Sequence, residues 1–539
     1  ANDICLPRYV DSNLALGSNY YYRVAAIDES GNRSDCTTVL QVATTDRTPP
    51  APPIITSLTY GNSTLTMGWS NLDPQPDFSH WELVRADRQG HETIVLSHTT
   101  GTNYTWVAPG FGQYSEFFLR AYDTNGNRSC AGNVISYLSG TNIALGRSAT
   151  QGANAGTAGF AVDGMVLGGN STDTGNSSNM SVNWWQVDLG TNRPVGAIEL
   201  YSHQSDPNGL IAFDVFVIDA SGQTNWSYSH PLGYYIGFMH RLYPDGATGR
   251  YVRVQRRNVA VANPAALRLA EVRVLEKSAD WPEVGPVLSG RVLHLDAGNA
   301  ANLVRDGYRV SAWTNLAPAG GYAGQNTSTN QPRTGSSSSL ERHLVNFGPD
   351  GSERWMKFKT AGGADWRPTT LRTMFWVVKG ANFLLGDGSS APFHRGTADE
   401  GSPNATIWDS ALASSAVLSG QTYLNGVLVD GSTTPLPSAY SVVSVVTTSA
   451  VAADRIGDDR NNPDRQGGLQ LAEFIAYDTA LSDGERRQVE QYLAEKWNVA
   501  RNYGVVAESS TNVFLAPPAN VIATPVDLDQ INLTWAASV

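Results

Sequence analysis

Along most of this 539-residue chain, short runs of alternating apolar and polar residues recur with clusters of turn residues between them. A recurrence of about 8–12 residues is what β-sandwiches require, because each strand is short and each connection tight. One segment departs from it. Ser482 and Glu485 form a capping box, and Val489, Tyr492, Leu493 and Trp497 share one face at helical spacing. The turns draw on 52 Gly and 27 Pro. Charged residues make up 16%, against roughly 25% in an average soluble protein. Yet 41% of the chain is hydrophobic, with 14 Trp and 22 Tyr, too apolar for disorder. The expectation is an all-β, secreted protein of three to four domains, about 150 residues each.

Several classes are excluded by what the chain lacks. Its net charge of −12 makes nucleic acid and anionic membranes poor partners. No apolar run reaches the ~18 residues of a membrane-spanning helix. Ala1 to Val10 carries neither a basic nor an apolar leader region, so no signal peptide is expected there. With only Cys5, Cys36 and Cys130, at most one intrachain disulfide can form. Cys36 and Cys130 follow matching turns in separate domains and are not expected to pair. A Cys5–Cys36 bridge is consistent with secretion.

An internal near-repeat organises the start of the chain. Tyr20 to Ser34, ending Gly31-Asn32-Arg33-Ser34, parallels Glu116 to Ser129, ending Gly126-Asn127-Arg128-Ser129. Alternating aromatic and polar residues make a half-buried strand, and the Gly-Asn turn sends the chain into its partner. Around the second copy stand a stiff Pro49-Pro50-Ala51-Pro52-Pro53 linker, an early strand Leu65 to Trp69 and the next, His80 to Arg85. Residues 47–140 resemble the fibronectin type III family, which implies a seven-strand sandwich. Residues 1–46 resemble only the back half of such a domain. Residues 501–539 resemble its front, through Pro517 to Thr524 and Gln530 to Trp535. Half a sandwich exposes unpaired edges, so the ends are expected either to find partners, giving a repeating fibre, or to continue in a longer chain.

Residues 141–277 carry four ordered motifs: Asn142 to Thr150, Ala161-Val162-Asp163-Gly164, Trp184 to Gly190 and Leu269 to Val274. Together they resemble the discoidin (coagulation-factor type C) family, with its galactose-binding-like jelly roll. Residues 278–500 carry Val292 to Ala297, Val310 to Asn315, Thr373 to Val378 and Gly468 to Asp478 before the capped helix. They resemble laminin-G-like, concanavalin-type jelly rolls, in which a closing helix packs beside the sandwich. Its aromatic stripe is therefore read as core. The fold class expected is tandem β-sandwiches of these three kinds.

Hydrolases of the concanavalin type place paired carboxylates on one strand face. No such spacing occurs here, and the strand neighbours of Glu473, Leu471 and Ile475, are apolar. A Gly-x-Ser-x-Gly elbow, a phosphate-binding glycine loop and a His-Glu-x-x-His pair are also absent. The protein is expected not to be an enzyme. The discoidin resemblance implies a calcium site in which Asp163 matches the loop carboxylate and Glu271 the C-terminal acid, with Thr172 or Ser171 as hydroxyl. Calcium takes such mixed oxygen sets. The alternative is a turn Asp and a sheet-end Glu without metal. Asp454, Asp458, Asp459 and Asp464, interleaved with three Arg, are read as a solvated loop.

Sugar recognition needs aromatic faces and side chains that bond hydroxyls. The resemblance puts these on loops at one end of the sandwich, making His203, Arg256 and Asn258 candidates, with Trp226 or Tyr234 for stacking. The reading is an extracellular, bacterial protein that binds glycans or holds a surface assembly together. Its rivals are an accessory region of a large secreted glycoside hydrolase and a structural filament subunit that binds nothing.

Overall fold

The computed structural model describes residues 18–23, 25, 35–43 and 49–499, with the backbone of 522–527 and 530–534. Outside the description lie 62, 71–76, 89–90, 109, 111, 176–179, 204–209, 211, 231–238, 245, 258–265, 280, 282–284, 335–343, 350, 381–383, 397–404, 438 and 461–465. Cys5, Tyr234, Asn258 and Asp464 are among these, so their expected roles fall outside the described residues. Cys36 is exposed, and Cys130 is an exposed thiol.

The described chain is nearly all antiparallel β-structure in three sandwiches. In the first, Ile54–Tyr60, Thr64–Ser70 and Asn103–Val107 form one sheet. Phe78–Ala86 lies between Glu92–Thr99 and Tyr114–Asp123 in the other, which Ile135–Leu138 completes. Alternation turns Leu65, Met67 and Trp69 inward, where they meet Trp81, Leu119 and Tyr137. The Gly-Asn turn is present, with Gly126 at φ 84°, a conformation glycine adopts without strain. The repeat's first copy contributes a hairpin, Asn19–Tyr22 paired with Leu40–Ala43. Ile522–Asp527 and Gln530–Thr534 form another at the far end.

In the second sandwich one strand, Trp184–Ser202, serves both sheets. Its first half pairs with Thr248–Arg256, and its second with Met239–Leu242 and Leu269–Glu276. Trp185, Val187 and Leu189 point inward at every second position and pack on Val215, Val252 and Val254. The third sandwich sets a seven-stranded sheet, centred on Leu371–Gly380, Ser441–Val451 and Leu469–Tyr477, against a five-stranded one. The larger sheet is buried on both faces, so its strands read as continuous apolar runs. Met374, Trp376 and Val378 face the smaller sheet, while Phe375 and Val377 face the helix Asp483–Trp497.

That helix begins as its sequence requires. Both bonds of the Ser482–Glu485 capping box are made, and Val489, Tyr492, Leu493 and Trp497 are buried. Ser482→Ala, which removes the cap, is expected to cost about 1 kcal/mol, read as a lower urea midpoint for the helix signal. An unchanged midpoint would mean that packing alone holds this end.

The sandwiches are joined by built contacts. Met165–Leu167 of the second adds a strand to the Ile54–Tyr60 edge of the first, covering unpaired backbone there. Beside it, Arg273 lies over the Tyr60 ring at 4.4 Å and donates to the Leu138 carbonyl at 3.1 Å. Glu199 accepts from both Arg273 and Arg241, and Arg241 donates to Glu495 of the helix at 2.6 Å. Burial alone would lower the Arg241 pKa, but the Glu495 and Glu199 charges outweigh it and hold it above the usual range. Side chains from all three sandwiches thus meet in one buried charge network.

Candidate functional site

Of the residues matched to a calcium site, Asp163 and Glu271 lie near one another. Asp163 ends the 3-10 helix Ala155–Val162, and Glu271 lies on the strand Leu269–Glu276. The Gly164 N–H donates to Glu271 Oε2 at 3.1 Å, and the Met165 N–H to Asp163 Oδ1 at 2.8 Å. Glu271 is wholly buried, and its Oε1 has no hydrogen-bond partner. Burial, with Asp163 charge added, holds its pKa well above the usual carboxylate range, and burial raises Asp163 too. Thr172 is nearby in register, buried, with its Oγ1 accepting from the Leu269 N–H at 2.9 Å. Ser171 is half-buried. Among the described residues no three of His, Cys, Asp and Glu cluster. An orphaned carboxylate oxygen near a second carboxyl is the donor chemistry of a hard, oxygen-seeking cation, which would draw its remaining ligands from hydroxyls, carbonyls or water.

The sugar candidates divide. His203 follows the strand Trp184–Ser202 and is half-buried at one end of the sandwich. Arg256 shares that end but is only 1% exposed, and its Nη1 donates to the Ala266 carbonyl at 3.1 Å. At that depth Arg256 is held at the base of this end of the sandwich. Arg257 beside it donates to the His230 carbonyl and pairs with Asp214 at 3.5 Å, and the His230 ring stacks on Phe213 at 5.1 Å. Sequence alone did not single out this platform. Trp226 is elsewhere, on the strand Thr224–Ser229 facing the third sandwich.

Two readings of the third sandwich change. Asp454, Asp458 and Asp459 are buried, not solvated: Arg455 bonds Asp454 at 2.6 Å and Asp458 at 2.7 Å, and Arg460 reaches Asp459 at 3.1 Å. The interleaved arginines neutralise the patch, which lets it sink. Glu473, moreover, has a carboxylate neighbour. Asp296 is its cross-strand partner, and Lys496 Nζ bonds both, at 2.8 Å to Asp296 and 2.7 Å to Glu473. His294, Tyr492 and Trp497 also donate to Glu473. Burial would raise the Glu473 pKa, but Lys496 and His294 bring it down to about 2. Burial holds Asp296 above its usual value despite Lys496. The missed partner sits 177 residues away, and only strand register joins the two.

Each similar solved structure covers a part of the chain. A fucose-binding module of Streptococcus pneumoniae shares 26% identity at a TM-score of 0.22, over 26% of this chain and 96% of that one. The family 32 carbohydrate-binding module of C. perfringens NanJ, solved with galactose, shares 20% at 0.19, over 24% and 91%. An Fn3-like protein from Clostridium thermocellum shares 18% at 0.14, over 16% and 92%. No family model and no curated protein matches the chain.

Proposed function

We propose that this is a non-catalytic, extracellular glycan-binding protein whose second sandwich presents the recognition loops. The observation that carries this is the platform of Arg256, Arg257, His230 and Phe213, a fixed base at the end of the sandwich where His203 also stands. Binding loops on a rigid scaffold are the usual division of labour in recognition. The discoidin-like motifs of residues 141–277 favour a sugar as the ligand. Asp163, Glu271 and Thr172 would hold a calcium ion that pins the adjacent loop. The third sandwich, read as laminin-G-like, contributes the helix that locks the arrangement.

A glycan array on the intact chain is the test, repeated with His203→Ala. The expected result is binding to a restricted set of glycans, weakened about tenfold by loss of one charge-capable hydrogen bond. An array on which the intact chain binds nothing would sink the reading.

A surface-assembly role has its own support. In the hairpin Asn19–Tyr22 with Leu40–Ala43, Tyr21 is 63% and Leu40 62% exposed. An uncovered apolar hairpin of this kind recruits strands, and pairing between copies would build a fibre. Tyr21→Lys with Leu40→Lys should then abolish any high-mass species seen by light scattering. Persistence of that species in the variant would count against the fibre.

A further inference from the structure

Between the second and third sandwiches lies a cavity of about 600 Å³ whose walls come from both. Alternate positions of one strand supply Trp226 and Tyr228, with rings 6.4 Å apart and 9° from parallel, and Trp281 joins them from the connecting segment. Opposite stand Arg291, His294 and Asp296 on the strand Arg291–Asp296, and Tyr492 and Lys496 on the helix. The volume is within the range of about 300–1,000 Å³ that holds small ligands, and aromatic rings share its walls with many polar groups.

The polar groups indicate what kind of ligand would fit. His294 is 6% exposed; its Nε2 lies 2.7 Å from Glu473 Oε1, while its Nδ1 has no partner. An ionised carboxylate only accepts, so Nε2 carries a proton toward Glu473, and Nδ1 is left a buried ring nitrogen without a partner. Arg291 Nε, on the same strand, is a buried donor without an acceptor. Leaving such groups unmet is costly, because each has lost its water. Hydroxyls can answer both, because they donate and accept. A simple anion could answer Arg291, Lys277 and Lys496, but it would also meet Asp296 and would leave the aromatic wall unused. A purely apolar ligand would satisfy neither.

We propose that this cavity is a second saccharide site, shared between the two sandwiches, in which a sugar ring stacks on Trp226 and bonds His294 and Arg291. It rests on the glycan reading for its ligand class but not for its location. Neither sandwich contains the site alone.

The test is saturation-transfer NMR on the intact chain with free galactose, fucose, N-acetylgalactosamine and glucose, each titrated separately. Two variants probe the cavity. Trp226→Ala removes the stacking face. Gly285→Leu adds bulk at the lining, where a Cβ meets nothing within 4 Å, so the fold should tolerate it. The expected result is that at least one sugar binds, that both variants weaken it about tenfold or more, as loss of a stacked face would, and that His203→Ala does not. Binding lost in His203→Ala yet kept in either cavity variant would overturn the site while leaving the glycan reading intact. An absence of binding by all four sugars, with array binding retained, would also overturn it.

Discussion

Glu199→Gln is expected to cost about 3–5 kcal/mol, because it leaves buried arginine charge without its counter-ion. Arg273 then keeps the Leu138 carbonyl, the Tyr60 and Tyr137 rings and the more distant Glu271 carboxyl, while Arg241 retains Glu495. Adding Arg273→Met removes the stranded cation, so the double variant should recover much of the loss. A denaturant series on the four-member cycle checks this, with a coupling of more than about 1 kcal/mol expected between residues in direct contact. Purely additive losses would show that the pair is not an energetic unit. The effect should also spread: the same network reaches Tyr114 of the first sandwich through Glu495, at 3.1 Å. Loosening it should therefore make the connections between sandwiches more open to limited proteolysis.

Calcium at 100 times its dissociation constant should stabilise the intact chain by about 2.7 kcal/mol, provided it binds only the native state. The pH behaviour follows from Glu271 and Asp163. Both carboxyls have raised pKa values in the fold, so the native state holds protons that the unfolded chain has released. In chelator, stability should therefore rise as pH falls from 7 toward the unfolded carboxylate range, and decline as pH climbs back through the raised values. Calcium competes for the same oxygens and should flatten that dependence. Glu271→Gln should abolish the calcium response, and in chelator at pH 7 it should cost little, since burial already disfavours the charged form of this carboxyl. Melting curves at pH 5 and 7, with calcium and with chelator, provide the comparison. Identical midpoints in both at pH 7 would remove the calcium site.

Residues whose partners are local were readable in the chain itself. Ser482 and Glu485 are one helical turn apart, so the cap shows in the sequence. Trp185, Val187 and Leu189 alternate on a single strand, so their inward face shows too. Sites assembled across strands were not readable. Glu473 looked isolated because its own strand neighbours are apolar, yet register sets Asp296 opposite it and the helix brings Lys496 to both. Trp226 was picked out as a stacking surface, but its distance from the His203 end, and its place facing another sandwich, came from sheet order. Arg256 was picked out by charge, which says nothing of depth.

Period-two alternation, turn residues and one capped helix therefore determined by themselves that this chain is a string of β-sandwiches, since those signals act over a few residues. Tertiary structure alone decided that the sandwiches are fused through Glu199, Arg241, Arg273 and Glu495, and that a lined cavity lies between two of them. Charges far apart in sequence can be buried only once folding brings their partners within about 3 Å. Up to that point nothing distinguishes a buried arginine from a surface one.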